Sequence, residues 1–251
     1  MGTELTDADA FEMLDGLNLD QYAGVGNENI TSDDVQIPYI NILQKLSPQV
    51  DEDTEAYIEG AKAGMLYQNV NNLLWSEALP VIPVTFDRKI VEWVPREKGG
   101  GLIDVHQLNI LKEIEHQPND RGVPVRSDNG NLLVDTATHV VLYRNEMYGS
   151  DGDWEPAIIA MKSSNHKKSR LWNSLIAQQK LPNGGQAPRW LYTWNMSTIK
   201  EVKDDNSWYN FEFERGSMVD KNAFLRAESL YKASKAGLVK GAEMTEDEVP
   251  F

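Results

Sequence analysis

The sequence predicts a mainly β or α+β fold, of the OB-like Greek-key barrel type with inserted helices, and three observations carry that expectation. Apolar, β-rich segments recur at short spacing between turn signals, at residues 79–86, 138–143 and 157–161. A clear hairpin runs from 189 to 202, turns at Asp204-Asp205-Asn206 and returns over 208–215. Helical spacing is confined to a few inserted stretches. At 251 residues, with 41% apolar side chains and seven Trp, the chain can bury a real core, as one large domain or two small ones. A small barrel accommodates five or more short strands and a few helices between them.

Taken in order, residues 7–22 have Phe11, Leu14 and Leu17 at helical spacing, with Asp7 and Asp9 near the start, where the helix dipole favours anions. Gly24 and Gly26 then open a polar linker. Residues 1–35 therefore read as an acidic N-terminal helix and linker, 36–236 as the folded body, and 237–251 as a disordered acidic tail. Ile37-Pro38-Tyr39-Ile40-Asn41-Ile42-Leu43 is a strand candidate that Ser47-Pro48 ends, and 51–55 is a solvated acidic loop. Residues 57–75 fit no single template. Pro80 and Pro83 suggest an edge or bulged strand at 79–86. A second strand at 89–94 sets Ile90 and Glu92 against Val91 and Trp93. After the Gly99-Gly100-Gly101 loop, 107–115 reads as a short helix, and Asn129-Gly130 as a hairpin turn into 131–135. Residues 169–180 read as a helix with Leu171, Trp172, Leu175 and Ile176 on one side, stopped by Pro182-Asn183-Gly184-Gly185. In the hairpin, Tyr209, Phe211 and Phe213 alternate with Trp208, Asn210 and Glu212. Asp220 can cap a last helix that packs back through Phe224, Leu225 and Leu230.

The net charge of −15 argues against nucleic acid until its distribution is considered. Residues 1–60 carry a net −13 and 243–251 a net −4, which leaves +2 for the 182 residues between. Inside that body, 156–200 holds seven Lys and Arg and no acid. With no Cys there is neither a disulfide framework nor a thiolate metal site. No apolar run is long enough for a bilayer, and Met1-Gly2-Thr3-Glu4 lacks the start of a secretory signal. The expectation is a soluble protein of the cytoplasm, with no membrane partner and no cofactor.

Binding single strands without sequence preference requires cations along the backbone track and aromatic faces for bases, each stacked base being worth roughly 1–3 kcal/mol. Lys162, Lys167, Lys168, Arg170 and Arg189 interleave with Trp172, Trp190, Tyr192 and Trp194. In a strand, Trp190, Tyr192 and Trp194 would share one face. The competing reading is that this face is core. Arg88, Lys89, Arg96 and Lys98, beside Trp93 and the triple glycine, form a second basic stretch that matches no nucleotide-binding loop. Signs of catalysis are few. His106, His116, His139 and His166 lack metal-ligand spacing. Ser164-Asn165-His166-Lys167 fits SxxK without its companion motifs. Asp135 and Glu155 ahead of Lys162 suggest a metal-dependent nuclease, but the acid expected two residues before that lysine is Ala160. The sequence is read as non-enzymatic.

The tip, Glu246-Asp247-Glu248-Val249-Pro250-Phe251, sets an aromatic ring and a stiffening Pro behind carboxylates, a compact anchor for a pocket with a basic rim. It resembles the acidic tip of bacterial-type single-stranded-DNA-binding proteins, Asp-Asp-Ile-Pro-Phe. Ile37-Pro38, Leu43-Gln44, Ser47-Pro48, Ser169-Arg170-Leu171-Trp172 and the acidic tail further resemble the single-stranded-DNA-binding proteins of tailed phages. This resemblance implies an OB-like fold, sequence-independent binding of single-stranded DNA, and contacts with replication, recombination and repair proteins through the tip. A homodimer is compatible with it. Two rivals stand beside this reading: a single-strand annealing or recombination mediator, and an acidic interaction factor that mimics DNA and binds none.

Overall fold

The computed structural model describes residues 37–120, 122–145 and 154–239, together with Val25. The chain divides into two units, Met1–Val35 and Gln36–Phe251, and the second holds the fold described below. The helix expected at 7–22 and the tip at 246–251 lie outside the described residues.

The β-branched run after Pro38 forms β1 (Ile40–Ile42), which pairs antiparallel with β2 (Leu66–Gln68), and β2 pairs with β3 (Leu73–Trp75). Residues 57–75 thus contain two strands of three residues each, too short for alternation to register in the sequence. The segments at 79–86 and 89–94 are one strand, β4 (Leu79–Trp93). It is central rather than an edge. On one side lie β5 (Leu102–His106), paired at 90–93, and the later strand β10, paired at Leu79, Pro80 and Val81. Along the other side lies β8. A bulge accommodates Pro83: it pairs with Val141 and Thr85 with Val140, leaving Val84 over, while Pro80 precedes the β8 ladder and faces Asn195. Between its two partners on the first side, Phe86, Asp87 and Arg88 are exposed.

The helix expected at 107–115 is only a 3₁₀ turn, Leu108–Lys112. β6 (His116–Pro118) and β7 (Pro124–Arg126) lead into β8 (Leu132–Arg144) through the predicted Asn-Gly turn, and β9 (Trp154–Lys162) pairs back along β8. α1 (Asn165–Ala177) starts four residues before the predicted helix, because its first turn is lysine-rich and shows no apolar period. The hairpin is β10 (Tyr192–Lys203) and β11 (Asn206–Met218). α2 (Lys221–Lys235) begins at Asp220, whose Oδ1 accepts from the Ala223 N–H at 2.8 Å, the cap the sequence predicts.

The larger sheet runs β11-β10-β4-β8-β7-β6, with β5 added to β4 and β9 to β8. The fold is mainly β and its antiparallel sheets are open, not closed into a barrel. α1 covers one face, setting Trp172 and Ile176 on Val81, Val141, Met161, Trp194 and Phe211. α2 covers the other, with Ala223 and Ala227 on Ile82, Val84 and Leu142. Leu171 and Leu225, expected inside, are 57% and 49% exposed.

Candidate nucleic-acid interface

The 3.6-residue period sorts the side chains of α1 into three directions. His166, Ser169 and Asn173 look toward β8 and the turn before β10. His166 Nε2 is 2.9 Å from the Asp135 carbonyl, Ser169 Oγ is 2.8 Å from His139 Nε2, and Asn173 Oδ1 accepts from Arg189 Nη2 at 2.9 Å. Lys168, Trp172 and Leu175 line a shallow groove of about 100 Å³ against Phe211, Glu212 and Phe213. Lys167 and Arg170 face solvent.

The start of α1 is electrostatically unbalanced. Its first turn carries no acid, Ser164 makes no side-chain cap bond, and Lys167 and Lys168 add charge at the positive end of the helix dipole. Free N–H groups and cations at one helix terminus form a surface that an anion stabilises. Lys168 is partly neutralised by Glu201 at 3.1 Å. Lys167, Arg170, Lys180 and Lys200 are exposed; the Lys167 charge also acts on Glu201, without a direct ion pair among the described residues.

Arg189 lies further along α1, against Asn173, in a 3₁₀ turn, Arg189–Leu191. Its guanidinium is half-buried, and its neighbours among the described residues are neutral: Asn173, the Phe86 ring at 5.8 Å, and His139 Nδ1 at 3.4 Å. Its Nε is buried and unbonded among the described residues. Burial without a counter-anion pulls its pKa down to about 10. His139, fully buried between Phe86 and Trp172, is held well below the usual imidazole range, first by burial and then by the Arg189 charge. Both effects keep it neutral.

The remaining predicted residues fall into three groups. Trp93, Trp172 and Trp194 are each 1% exposed and belong to the core, so the stacking role expected of them is corrected: a ring with no open face cannot take a base. Trp172 stacks on Phe213 at 3.8 Å, and Lys162 sits 5.0 Å over the Trp93 ring. Nor do Trp190, Tyr192 and Trp194 share a face. Trp190 lies in the 3₁₀ turn against Phe224 and Tyr231 of α2, and a register break between Tyr192 and Trp194 disrupts the alternation. Half-buried Tyr192 has the Arg215 guanidinium 5.2 Å above its ring. In the second stretch, Arg88 grips Asp135 with two nitrogens and Lys89 pairs with Asp87 at 3.6 Å. Arg96 is exposed, while Lys98 donates to the Asn129 carbonyl at 3.2 Å, which ties down the glycine loop. Burial opposes ionisation of Asp135, but the Arg88 bonds and the His166 and Arg88 charges outweigh it and hold its pKa low. Lys167 and Arg170 thus lie exposed on α1 while Arg189 packs against Asn173 later in the same helix, and in the second stretch Arg88 and Lys89 have carboxylate partners.

Sequence reasoning missed Phe86, His139 and Asn173. A Phe in an apolar strand reads as core, and nothing in the sequence signalled that β4 loses its neighbour there. Of the groups considered for chemistry, Glu155 accepts from the Tyr143 hydroxyl at 2.9 Å and His106 meets the buried Glu92 carboxylate at 2.8 Å. Among the described residues no His, Asp and Glu group is arranged to hold a metal ion. A cleft of about 370 Å³ by β7 is lined by Glu113, Glu115 and Asp128 against Arg126, a poor setting for an anion. No described helix is long and apolar enough to cross a membrane.

Together these features define a mainly β protein of open antiparallel sheets, with a basic helix laid across one face. The chain belongs to the Pam3 phage gp34-like protein family, which matches it over residues 6–240. No curated protein and no solved structure matches it. A phage family agrees with the phage resemblance drawn from the sequence, and its description names no ligand.

Proposed function

We propose that this chain is a non-catalytic, sequence-independent single-stranded-DNA-binding protein acting in phage DNA replication, recombination or repair. The observation that carries the reading is the uncapped, acid-free start of α1, with Lys167 and Arg170 exposed and Arg189 against Asn173 of the same helix. Cations held at a helix N-terminus destabilise the fold slightly unless an anion arrives, and a phosphate backbone is an anion with many repeats. The acidic segments at residues 1–60 and 243–251 limit unspecific adhesion by the body and leave Glu246–Phe251 as the segment that recruits partner proteins.

An OB-like relationship is part of the proposal. Tyr39 bridges to Ile158 on β9, at one margin of the larger sheet. At the other margin, Gln44 exchanges two 2.9 Å hydrogen bonds with the Tyr209 backbone on β11. The segment around β1 therefore touches both margins, as the closing strand of a barrel does.

The test is fluorescence anisotropy of a labelled oligonucleotide across a salt series. If about four to six cations meet phosphates, affinity should fall with a log–log slope of roughly −3 to −4. A flat response sinks the electrostatic argument, and no binding at all favours the DNA-mimic reading. Rings or filaments in size-exclusion runs with DNA would point to an annealing mediator.

A further inference from the structure

We propose that Arg189 and Phe86 form a nucleotide subsite, the guanidinium receiving a backbone phosphate and the phenyl ring a base. The inference rests on the single-strand reading above and names where one nucleotide is held.

Three observations carry it. Arg189 is a half-buried cation that bonds an amide and a neutral imidazole but no carboxylate among the described residues, and its Nε is enclosed and unbonded. Buried cations in folded proteins are paired, because desolvation costs several kcal/mol per ion. This arrangement lacks the anion. Next, the guanidinium is positioned rather than loose. Asn173 fixes Nη2, and Asn173 is itself set by the same helix whose Ser169 holds His139 from the other side. A planar donor group fixed in this way suits a phosphate oxygen pair. Finally, the exposed apolar surface beside it is an aromatic one. Phe86 is 37% exposed at the centre of the longest strand, where a buried ring would be expected, and it lies against both Arg189 and His139. A cation for phosphate and an adjacent open ring are what a nucleotide recognises, and what a free phosphate or an acidic peptide does not use in full.

The experiment compares a dT oligonucleotide with an abasic one of equal length on wild type, Phe86→Ala and Arg189→Gln. Phe86→Ala should weaken dT binding about tenfold, within the range for one stacked base, and leave the abasic strand unchanged. Arg189→Gln should weaken both strands equally and make the salt slope shallower by about 0.7. It should also melt no lower than wild type, because it removes an uncompensated buried charge. A lower melting temperature for Arg189→Gln shows that the guanidinium is structural and overturns the proposal. If wild type binds DNA and both variants bind as tightly, the subsite is wrong while the single-strand reading stands. If wild type ignores both oligonucleotides, that reading fails, and thymidine 5′-monophosphate decides the subsite alone. A thermal shift with the monophosphate, absent with thymidine and lost in Arg189→Gln, upholds it; no shift overturns it.

Discussion

His139, on β8, and Trp172, in the basic segment, show how single residues serve the core. Trp172 lies face to face with Phe213 at 3.8 Å and edge-on to Trp194 at 6.2 Å, and is 1% exposed. Trp172→Ala should cost about 3–5 kcal/mol in urea unfolding, the range for a large aromatic removed from a core, and Trp194→Ala should behave alike. A loss of DNA affinity at unchanged stability would contradict this placement. His139 makes stability depend on pH. Its folded pKa lies below the unfolded value of about 6.5, so the unfolded chain takes up a proton that the folded chain refuses. The stability is fully present above pH 6.5 and is lost as pH falls toward the folded pKa, by up to about 1.4 kcal/mol per pH unit. His139→Gln should flatten the difference in urea midpoint between pH 7.5 and 5.5, by comparison with wild type. A curve parallel to wild type would show that His139 does not titrate this way.

Among the elements, α1 does two jobs with one sequence. Trp172 and Ile176 dock it on the sheet, while its first turn concentrates charge that a helix N-terminus does not favour. Replacing Lys167 and Arg170 together by Ala should leave stability unchanged or raise it by a few tenths of a kcal/mol, since both are exposed and Lys167 sits at the positive end of the dipole. The same double variant should make the salt slope of DNA binding shallower by about 1.4, at about 0.7 per phosphate contact. An unchanged slope would move the interface elsewhere on the body. β4 poses the converse case. Its alternation was legible, and Ile90 and Glu92 do oppose Val91 and Trp93, but both faces are buried. The prolines suggested an edge because a proline cannot donate to a ladder; the β8 ladder begins only after Pro80, and the bulge at Val84 is how this central strand tolerates Pro83.

For the whole molecule, acidity and basicity are segregated, and the proposed role of the acidic end can be measured. The segment 243–251 carries a net −4 and lies outside the described residues. Tethered to the body, it has an effective concentration of order millimolar at nearby surfaces. Deleting 243–251 should tighten single-strand binding modestly at low salt and abolish capture of replication proteins. Phe251→Ala should spare DNA binding while losing the partner. Equal recovery of partners by the intact and shortened chains would remove the docking role from this segment.

Local chemistry made much of this protein legible from its sequence. The β10–β11 hairpin, the Asp220 cap, the Asn129-Gly130 turn and the strands β8 and β9 each follow from residues a few positions apart, whose period or turn preference acts before any tertiary contact. The charge map was equally readable, since segregation of charge along a chain survives folding. Which aromatic rings face water was not readable. Trp190, Tyr192 and Trp194 look alike as a pattern, and only the 3₁₀ turn before β10 and the register break at its start send them to different layers. Phe86 looks like core until β10 leaves β4 after Val81 and β5 joins it only at Ile90. Arg189 becomes a buried cation without a counter-anion only because α1, β4 and β8 converge on it from distant parts of the chain. Burial is a property of long-range packing, and it decided which residues of the basic segment remain free to meet a ligand.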